Sequence, residues 1–294
     1  HGILCDEMGL GKTLTTLCIM IGDMHDRKQA HLKAKSNESA PIPNLVVCPA
    51  TLVGHWHDEI HKHCPSPLSV IQYVGVPRQR NLLRSSLNDA DVVIMSYETV
   101  RTDIEFLAKC CFNYCVLDEG HTIRNSKTKV TRAVKRLVTT HRLILSGTPV
   151  QNSVLELWSM FDFLMPGFLG TERQFNERFS RPIESGKSPK HSGDKAILAM
   201  EGLHRQVLPF ILGRTKQQVL SDLPPKIIQD IMCEISPLQK RLYDQFESSI
   251  PCKTAVASLA TSGPSAPGNV LQSLQYLRKV CNHPALVLTD SHPL

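Results

Sequence analysis

The residues whose chemistry is easiest to name lie near the start, at Gly9-Leu10-Gly11-Lys12-Thr13. A short apolar run, Gly2 to Cys5, precedes them and a stretch of helical spacing follows, so they fill the turn between a strand and a helix. Glycines in such a turn let successive backbone N–H groups face inward around phosphate oxygens, and the helix N-terminus adds positive potential. Lys12 would reach the β and γ phosphates of a nucleotide, and Thr13 would offer its hydroxyl to Mg²⁺. One position departs from the general G-x-x-x-x-G-K-[ST] pattern: Asp6 stands where its first glycine is expected.

A second apolar run, ending at Leu117, delivers Asp118-Glu119. A hydrolytic phosphate-loop enzyme needs this from a neighbouring strand: Asp118 would hold Mg²⁺ through water, and Glu119 would orient and deprotonate the attacking water. Two adjacent acids after a strand are common, so the pair carries weight through its combination with Lys12. Beyond them, residues 122 to 142 hold Arg124, Lys127, Lys129, Arg132, Lys135, Arg136 and Arg142 and no acid. Val130, Val134, Leu137 and Val138 follow helical spacing, which leaves Lys129, Arg132 and Arg136 on another face. That face could meet a polyphosphate backbone or simply be solvated.

The elements that must position these residues read as alternating strands and helices. Apolar runs at 2–5, 45–48, 91–96, 114–117 and 142–146 are separated by amphipathic segments at about 13–34, 52–63, 78–88, 98–110 and 127–139. Alternation of this kind predicts an α/β fold with a parallel sheet flanked by crossover helices. Ligands of such sheets bind beyond the carboxyl ends of the strands. There lie Asp6 to Gly9, Pro49-Ala50-Thr51, Ser96-Tyr97, Asp118-Glu119-Gly120-His121 and Ser146-Gly147-Thr148-Pro149. Past residue 165 the alternation stops. Residues 166–225 read as helical around a polar loop at about 182–194. A strand is expected at 226–235 and a helix from Pro237; then come a flexible loop at 261–269 and a helix ending near Pro284.

Composition bounds the alternatives. The chain has 294 residues, 41% hydrophobic and 20% charged, enough for one large or two ordinary domains with real cores. No apolar stretch reaches the ~18 to 20 residues of a membrane span, and no charged-then-apolar leader opens the chain. The net charge of +6 is compatible with a nucleic-acid partner without requiring one. Ten cysteines contain no Cys-x-x-Cys pair and read as reduced core residues. In HWHDEIHKHC, His57 and His61 are one helical turn apart and could share a metal, but no second ligand pair is evident, so a solvated helix face is the expectation. The chain begins at His1 without a Met and is read as a fragment.

Together, DEMGLGKT at 6–13, VVCPATLVGHW at 46–56, SYETVR at 96–101, LDEGHTIRN at 117–125, LSGTPVQN at 145–152, DLPPK at 222–226 and LRKVCNHP at 277–284 resemble, in order, the motifs of Swi/Snf-type ATPases. These are double-stranded-DNA translocases of the second helicase superfamily, in which an Asp at the start of the phosphate loop is normal. The resemblance implies a RecA-like first motor lobe over 1–165 lacking its adenine-binding part. It further implies a helical protrusion over 166–225, a connection to the second lobe over 226–284, and the beginning of that lobe over 285–294. It also implies ATP contacts from Asp6, Glu7, Met8, Gly9, Leu10, Gly11, Lys12 and Thr13, with Mg²⁺ at Thr13 and Asp118 and catalysis by Lys12, Asp118 and Glu119. Coupling to DNA would run through Gly120, His121, Ser146, Gly147 and Thr148, and Thr51 and Ser96 would meet DNA phosphate. Thr15, Arg124 and Gly213 stand where the family usually has Gln, Lys and Arg.

Within the family, HGILCDEMGLGKT, FDFLMPGFLGTERQF and DLPPKIIQD are most similar to the class of ATPases associated with TATA-binding protein. That similarity implies a nuclear regulator of transcription that removes TATA-binding protein from promoter DNA. A nucleosome-remodelling or recombination translocase of the same family is the alternative, as is a scaffold that binds without turnover. Intact Lys12, Asp118 and Glu119 argue against the scaffold. The arginine fingers belong to the second lobe, so residues 1–294 by themselves are expected to be nearly inactive.

Overall fold

A computed structural model describes residues 1–34, 42–64, 68–147, 154–185, 194–220, 222, 224, 227–249 and 267–288. They form two compact units, His1–Leu223 and Pro224–Leu294.

The first unit is built on one seven-stranded sheet: β1 (Gly2–Leu4), β2 (Asn44–Cys48), β3 (Val70–Gln72), β4 (Val92–Ser96), β5 (Cys111–Leu117), β6 (Val138–Leu145) and β7 (Ile211–Leu212). The spatial order is β3-β4-β2-β5-β6-β1-β7, with every pairing parallel. Parallel neighbours need crossovers. The helices α1 (Lys12–Ala34), α2 (Val53–His63), α3 (Pro77–Leu83), α4 (Tyr97–Leu107) and α5 (Lys129–Lys135) lie in those connections.

Strands β2 and β4 are buried at every position because helices cover both faces of the sheet. Leu45, Val47, Val93, Met95, Cys115 and Leu117 share one core with Val100 and Ile104 of α4 and Ala133 and Val134 of α5. The intervening residues Val46, Cys48, Ile94 and Val116 pack on the other face against Leu17 and Met20 of α1 and Trp56 and Ile60 of α2. Each large side chain buried this way contributes about 1.5–3 kcal/mol.

Three local expectations change. The helix expected at 127–139 is shorter: Thr128 caps α5 by accepting from the Thr131 N–H, and the helix ends at Lys135. Val138-Thr139-Thr140, a β-branched run, instead opens β6, where Val138 and Thr139 align with Cys111 and Phe112. Pairing with a long neighbouring strand outweighs the helical spacing of a few valines. Strands β3 and β7, of three and two residues, carry too little alternation to be seen in sequence. Finally, residues 227–235, expected as a strand, form none, and Ile227, Ile228, Ile231 and Met232 are exposed. A strand needs a neighbour for its ladder, and no described strand pairs with this segment.

After β6 the chain is helical through α6 (Val154–Leu164), α7 (Glu172–Phe175), a π-helical turn at Asn176–Ser180, α8 (Arg181–Ser185) and α9 (Asp194–Val207). It then returns to the sheet as β7, followed by α10 (Lys216–Val219). Most of the polar loop expected at 182–194 lies outside the described residues. The second unit contains α11 (Pro237–Glu247), capped by Ser236, and α12 (Pro267–Asn282). Phe246 stacks on Tyr276 with ring centroids 4.2 Å apart, and Gln239 Nε2 donates to the Val280 carbonyl at 2.9 Å. Most of the loop expected at 261–269 also lies outside the described residues.

Candidate active site

Strand order decides which turns become neighbours. Sheet strands β5, β6 and β1 are adjacent in that order, so the turns after Leu4, Leu145 and Leu117 share one edge, with the outer two roughly 9–10 Å apart. The Ser146 N–H donates to the Leu4 carbonyl at 3.1 Å, and a Cβ on Gly147 would sit 3.7 Å from Met8 Cγ. The turn after β6 therefore lies between the glycine-rich loop and Asp118-Glu119. Ser146 is buried; Thr148 is outside the described residues.

Within the loop, Gly9 and Gly11 adopt φ of 89° and 75°, a left-handed backbone that a side chain would strain. Nothing lies within 4 Å of where a Cβ on Gly11 would stand, so the space beside this glycine is open. Lys12 begins α1, and its ammonium donates to the Asp6 carbonyl at 2.8 Å. Glu7, Met8 and Gly9 are exposed, and Leu10 and Thr13 are half-buried.

Asp6 is fully buried, and its partner comes from 208 positions away. The Arg214 backbone N–H donates to Asp6 Oδ1 at 3.0 Å and its Nε to both carboxylate oxygens at 3.1 and 3.2 Å. Hydrogen bonding from that guanidinium holds the Asp6 carboxyl below its ordinary range. A glycine here would leave Arg214 without its acid.

Asp118 is held from several sides. The Trp56 indole N–H donates to its Oδ2 at 2.8 Å, the Glu119 N–H to its Oδ1 at 2.9 Å, and the Tyr97 hydroxyl to its carbonyl at 2.8 Å. Burial raises the Tyr97 phenol well above its ordinary range, with the Asp118 charge adding to the effect, so the phenol remains a donor. Glu119 is the one non-glycine residue with positive φ among the described residues, at φ 51° and ψ 52°. Such a conformation costs about 1–3 kcal/mol and persists only when its surroundings enforce it. Here Thr122 Oγ1 donates to the Glu119 carbonyl at 2.9 Å. Gly120 is required as well, because a Cβ would stand 2.2 Å from Ile144 Cγ2. His121 Nδ1 lies 3.2 Å from Glu119 Oε2.

This donor set suits a magnesium nucleotide: an ammonium, a hydroxyl, carboxylate oxygens and an open backbone cradle. Mg²⁺ takes oxygen ligands and is commonly bound through one or two carboxylates together with substrate phosphates. No group of three or more His, Cys, Asp and Glu side chains forms a metal-type cluster among the described residues. His57 and His61 stack with centroids 4.2 Å apart, but His61 Nδ1 bonds the His57 carbonyl at 2.9 Å and His57 Nδ1 faces Asp58. Burial pushes the Cys48 and Cys115 thiols up to about 12, so both stay protonated in the core.

The residues proposed for DNA sort by exposure. Thr51, Lys129 and Arg132 are exposed. Ser96 is buried and caps α4, its Oγ accepting from the Thr99 N–H at 3.2 Å. Arg136 is exposed but donates to both oxygens of Glu105, at 2.7 and 3.1 Å. Two further members of the basic stretch serve the fold: Lys135 pairs with Asp162 at 2.7 Å, and Arg142 donates to the Leu137 and Phe163 carbonyls.

The sequence assigns no role to Trp56, Tyr97 or Arg214, which the structure brings to the two aspartates. Trp56 had one available signal, since a tryptophan in a core needs an acceptor for its indole N–H. Gly213 drew attention as a departure from the family pattern. Its ideal Cβ would stand 3.5 Å from Cys5 Cβ, an ordinary contact, so the backbone does not demand glycine there.

Comparison with known proteins matches the SNF2-related domain to residues 1–286. The chain is 53% identical to TATA-binding protein-associated factor 172 of Homo sapiens and 52% identical to TATA-binding protein-associated factor MOT1 of Saccharomyces cerevisiae. Each match covers 100% of this chain and 16% of the relative. Among solved structures, the Sulfolobus solfataricus SWI2/SNF2 ATPase core in complex with double-stranded DNA matches with a TM-score of 0.61 and 32% identity, covering 97% of this chain and 55% of that one.

Proposed function

From its membership of the SNF2-related domain family, to which this chain belongs, we propose that the chain is the first lobe of an ATP-hydrolysing, double-stranded-DNA translocase that removes TATA-binding protein from promoter DNA in the nucleus. The observation that carries the enzymatic part is the shared sheet edge, which gathers the Lys12 loop, the Ser146-Gly147 turn and Asp118-Glu119. Identity above 50% to two TATA-binding protein-associated factors supports the choice of substrate.

In this reading Asp6 to Thr13 bind ATP, with Lys12 at the β and γ phosphates. Thr13 and Asp118 would hold Mg²⁺, which when bound neutralises charge developing on the transferring group. Trp56 fixes the Asp118 carboxylate, and Tyr97 its backbone carbonyl, before nucleotide arrives. Glu119 orients a water molecule and takes its proton, and the strained backbone enforced by Thr122 aims its carboxylate. His121, whose Nδ1 lies 3.2 Å from Glu119 Oε2, together with Ser146, Gly147 and Thr148, would pass the state of the nucleotide to DNA-contacting residues. Of these Thr51, Lys129 and Arg132 are the most available, with Ser96 and Arg136 behind them. A second motor lobe in cis would complete the site with its arginines, because the arginine beside the loop, Arg214, is engaged with Asp6.

The test is hydrolysis by the full-length protein with duplex DNA alone, then with TATA-binding protein on TATA-box DNA. DNA-stimulated turnover with ATP-dependent release of TATA-binding protein is expected. Stimulation by DNA without release would transfer the reading to another translocase of the family. Absence of hydrolysis under both conditions would favour a scaffold.

A further inference from the structure

The segment that follows the helical region, Ile211–Val219, lies along the glycine-rich loop. Its strand β7 pairs with β1, and three further backbone or carboxylate contacts continue past the strand end. The Cys5 N–H donates to the Leu212 carbonyl at 2.6 Å, the Glu7 N–H to the Arg214 carbonyl at 3.0 Å, and the Lys216 N–H to Glu7 Oε2 at 2.8 Å. With Arg214 anchored on Asp6, the strap is bound to three consecutive loop residues, Cys5, Asp6 and Glu7.

Two side chains of the strap reach the loop: Arg214, ahead of the Thr215 cap, and Lys216, the first residue of α10. Arg214 reaches Asp6. Lys216 reaches Gly9: a Cβ on that glycine would lie 3.6 Å from both Lys216 Cε and Nζ. None of the ion pairs among the described residues engages this half-buried ammonium. Gly9 lies in the span of the loop whose N–H groups would face phosphate, so a half-buried cation stands there without a matching acid. A polyphosphate would supply the missing charge.

We propose that Lys216 is a second phosphate-binding cation of the nucleotide site, delivered by the strap to the loop at Gly9. The proposal rests on the nucleotide reading of that loop. It also makes the strap a physical link between the helical region at 154–207 and the nucleotide.

The experiment is equilibrium nucleotide binding by the full-length protein, using ATP, ADP, AMP and adenosine as competitors of a fluorescent ATP analogue. Lys216→Gln is expected to weaken ATP by about tenfold, the scale of one charge-assisted contact, ADP by less, and AMP and adenosine not at all. Lys216→Arg should recover most of the ATP affinity. Unchanged ATP affinity in Lys216→Gln would overturn the proposal. So would an equal loss for all four ligands, which would show that the residue only shapes the loop. Lys12→Ala, measured alongside, is expected to lose about 10- to 100-fold in ATP affinity. If Lys12→Ala binds ATP normally, the phosphate-loop reading itself fails, whatever Lys216 does.

Discussion

The two edges of the central sheet are built from the same strands and treat polar groups in opposite ways. At the amino edge the polar groups satisfy one another. Asn113 Nδ2 donates to Asp23 Oδ2 at 2.7 Å and to Asn44 Oδ1 at 3.1 Å, and Arg27 bonds both Asp23 and Asn113. Asp91 accepts from the Ser69 N–H and pairs with Lys28, each at 3.0 Å. Asn44 and Asn113 are buried with their side-chain partners beside them. At the carboxyl edge, Asp6 and Asp118 are equally well held, yet they hold other groups outward: a glycine loop open on one side, a left-handed Glu119 and an unmatched Lys216. Closed polar networks rigidify a fold, whereas preorganised and incompletely matched groups are what a charged ligand needs.

The sharpest way to break this contrast is Glu119→Gln. In a chain carrying both motor lobes it should lower turnover by about 10² to 10⁴-fold while ATP still binds, since it removes the base and leaves the Asp118 carboxylate in place. Steady-state hydrolysis and nucleotide titration check it, and normal turnover would move water activation to another residue. At the other edge, Asn113→Leu should cost about 1–3 kcal/mol in urea denaturation by leaving Asp23 and Asn44 short of a donor, with nucleotide affinity per folded molecule unchanged. Weakened ATP binding in that variant would mean that the two edges are not independent.

A smaller effect tests α5, which runs from the carboxyl edge back toward the amino edge. Neutralising Lys129 and Arg132 is expected to reduce the salt dependence of duplex binding by about one slope unit for each DNA phosphate that the variant no longer neutralises. Neutralising Arg136, already paired with Glu105, should change it less. Equal slopes for all variants would make the helix a solvated surface. The smallest effect concerns acid. Because Arg214 depresses the Asp6 pKa in the folded state, the pair stabilises the protein above the unfolded value of about 3.9. That contribution is lost as pH falls through the lower folded value. Asp6→Asn should therefore flatten the acid limb of a stability–pH curve, and an unchanged limb would show that the pair does not titrate with folding.

Much of the architecture was legible because it rests on local rules. Continuous apolar runs such as Leu45–Cys48 can be buried on both sides only in a parallel sheet. Glycines flanking Leu10 ahead of Lys12 can be satisfied only at a strand-to-helix turn. Helical spacing set Lys129, Arg132 and Arg136 apart from Lys135, but it could not show that Arg136 pairs with Glu105, nor that Lys135 pairs with Asp162. The apolar alternation at 227–235 was equally persuasive and produced no strand, because alternation describes a face and says nothing of the neighbour that would complete it.

By itself the sequence determined the order of five of the seven strands with helices between them, the glycine loop ahead of Lys12 and the acids at the end of their strand, for these depend on neighbours within a few positions. Tertiary structure alone decided that Arg214 reaches Asp6, that Trp56 holds Asp118 and that Lys216 stands over Gly9. Those pairs are 208, 62 and 207 positions apart. They meet because crossover helices choose which strands lie side by side, and no local spacing encodes that choice.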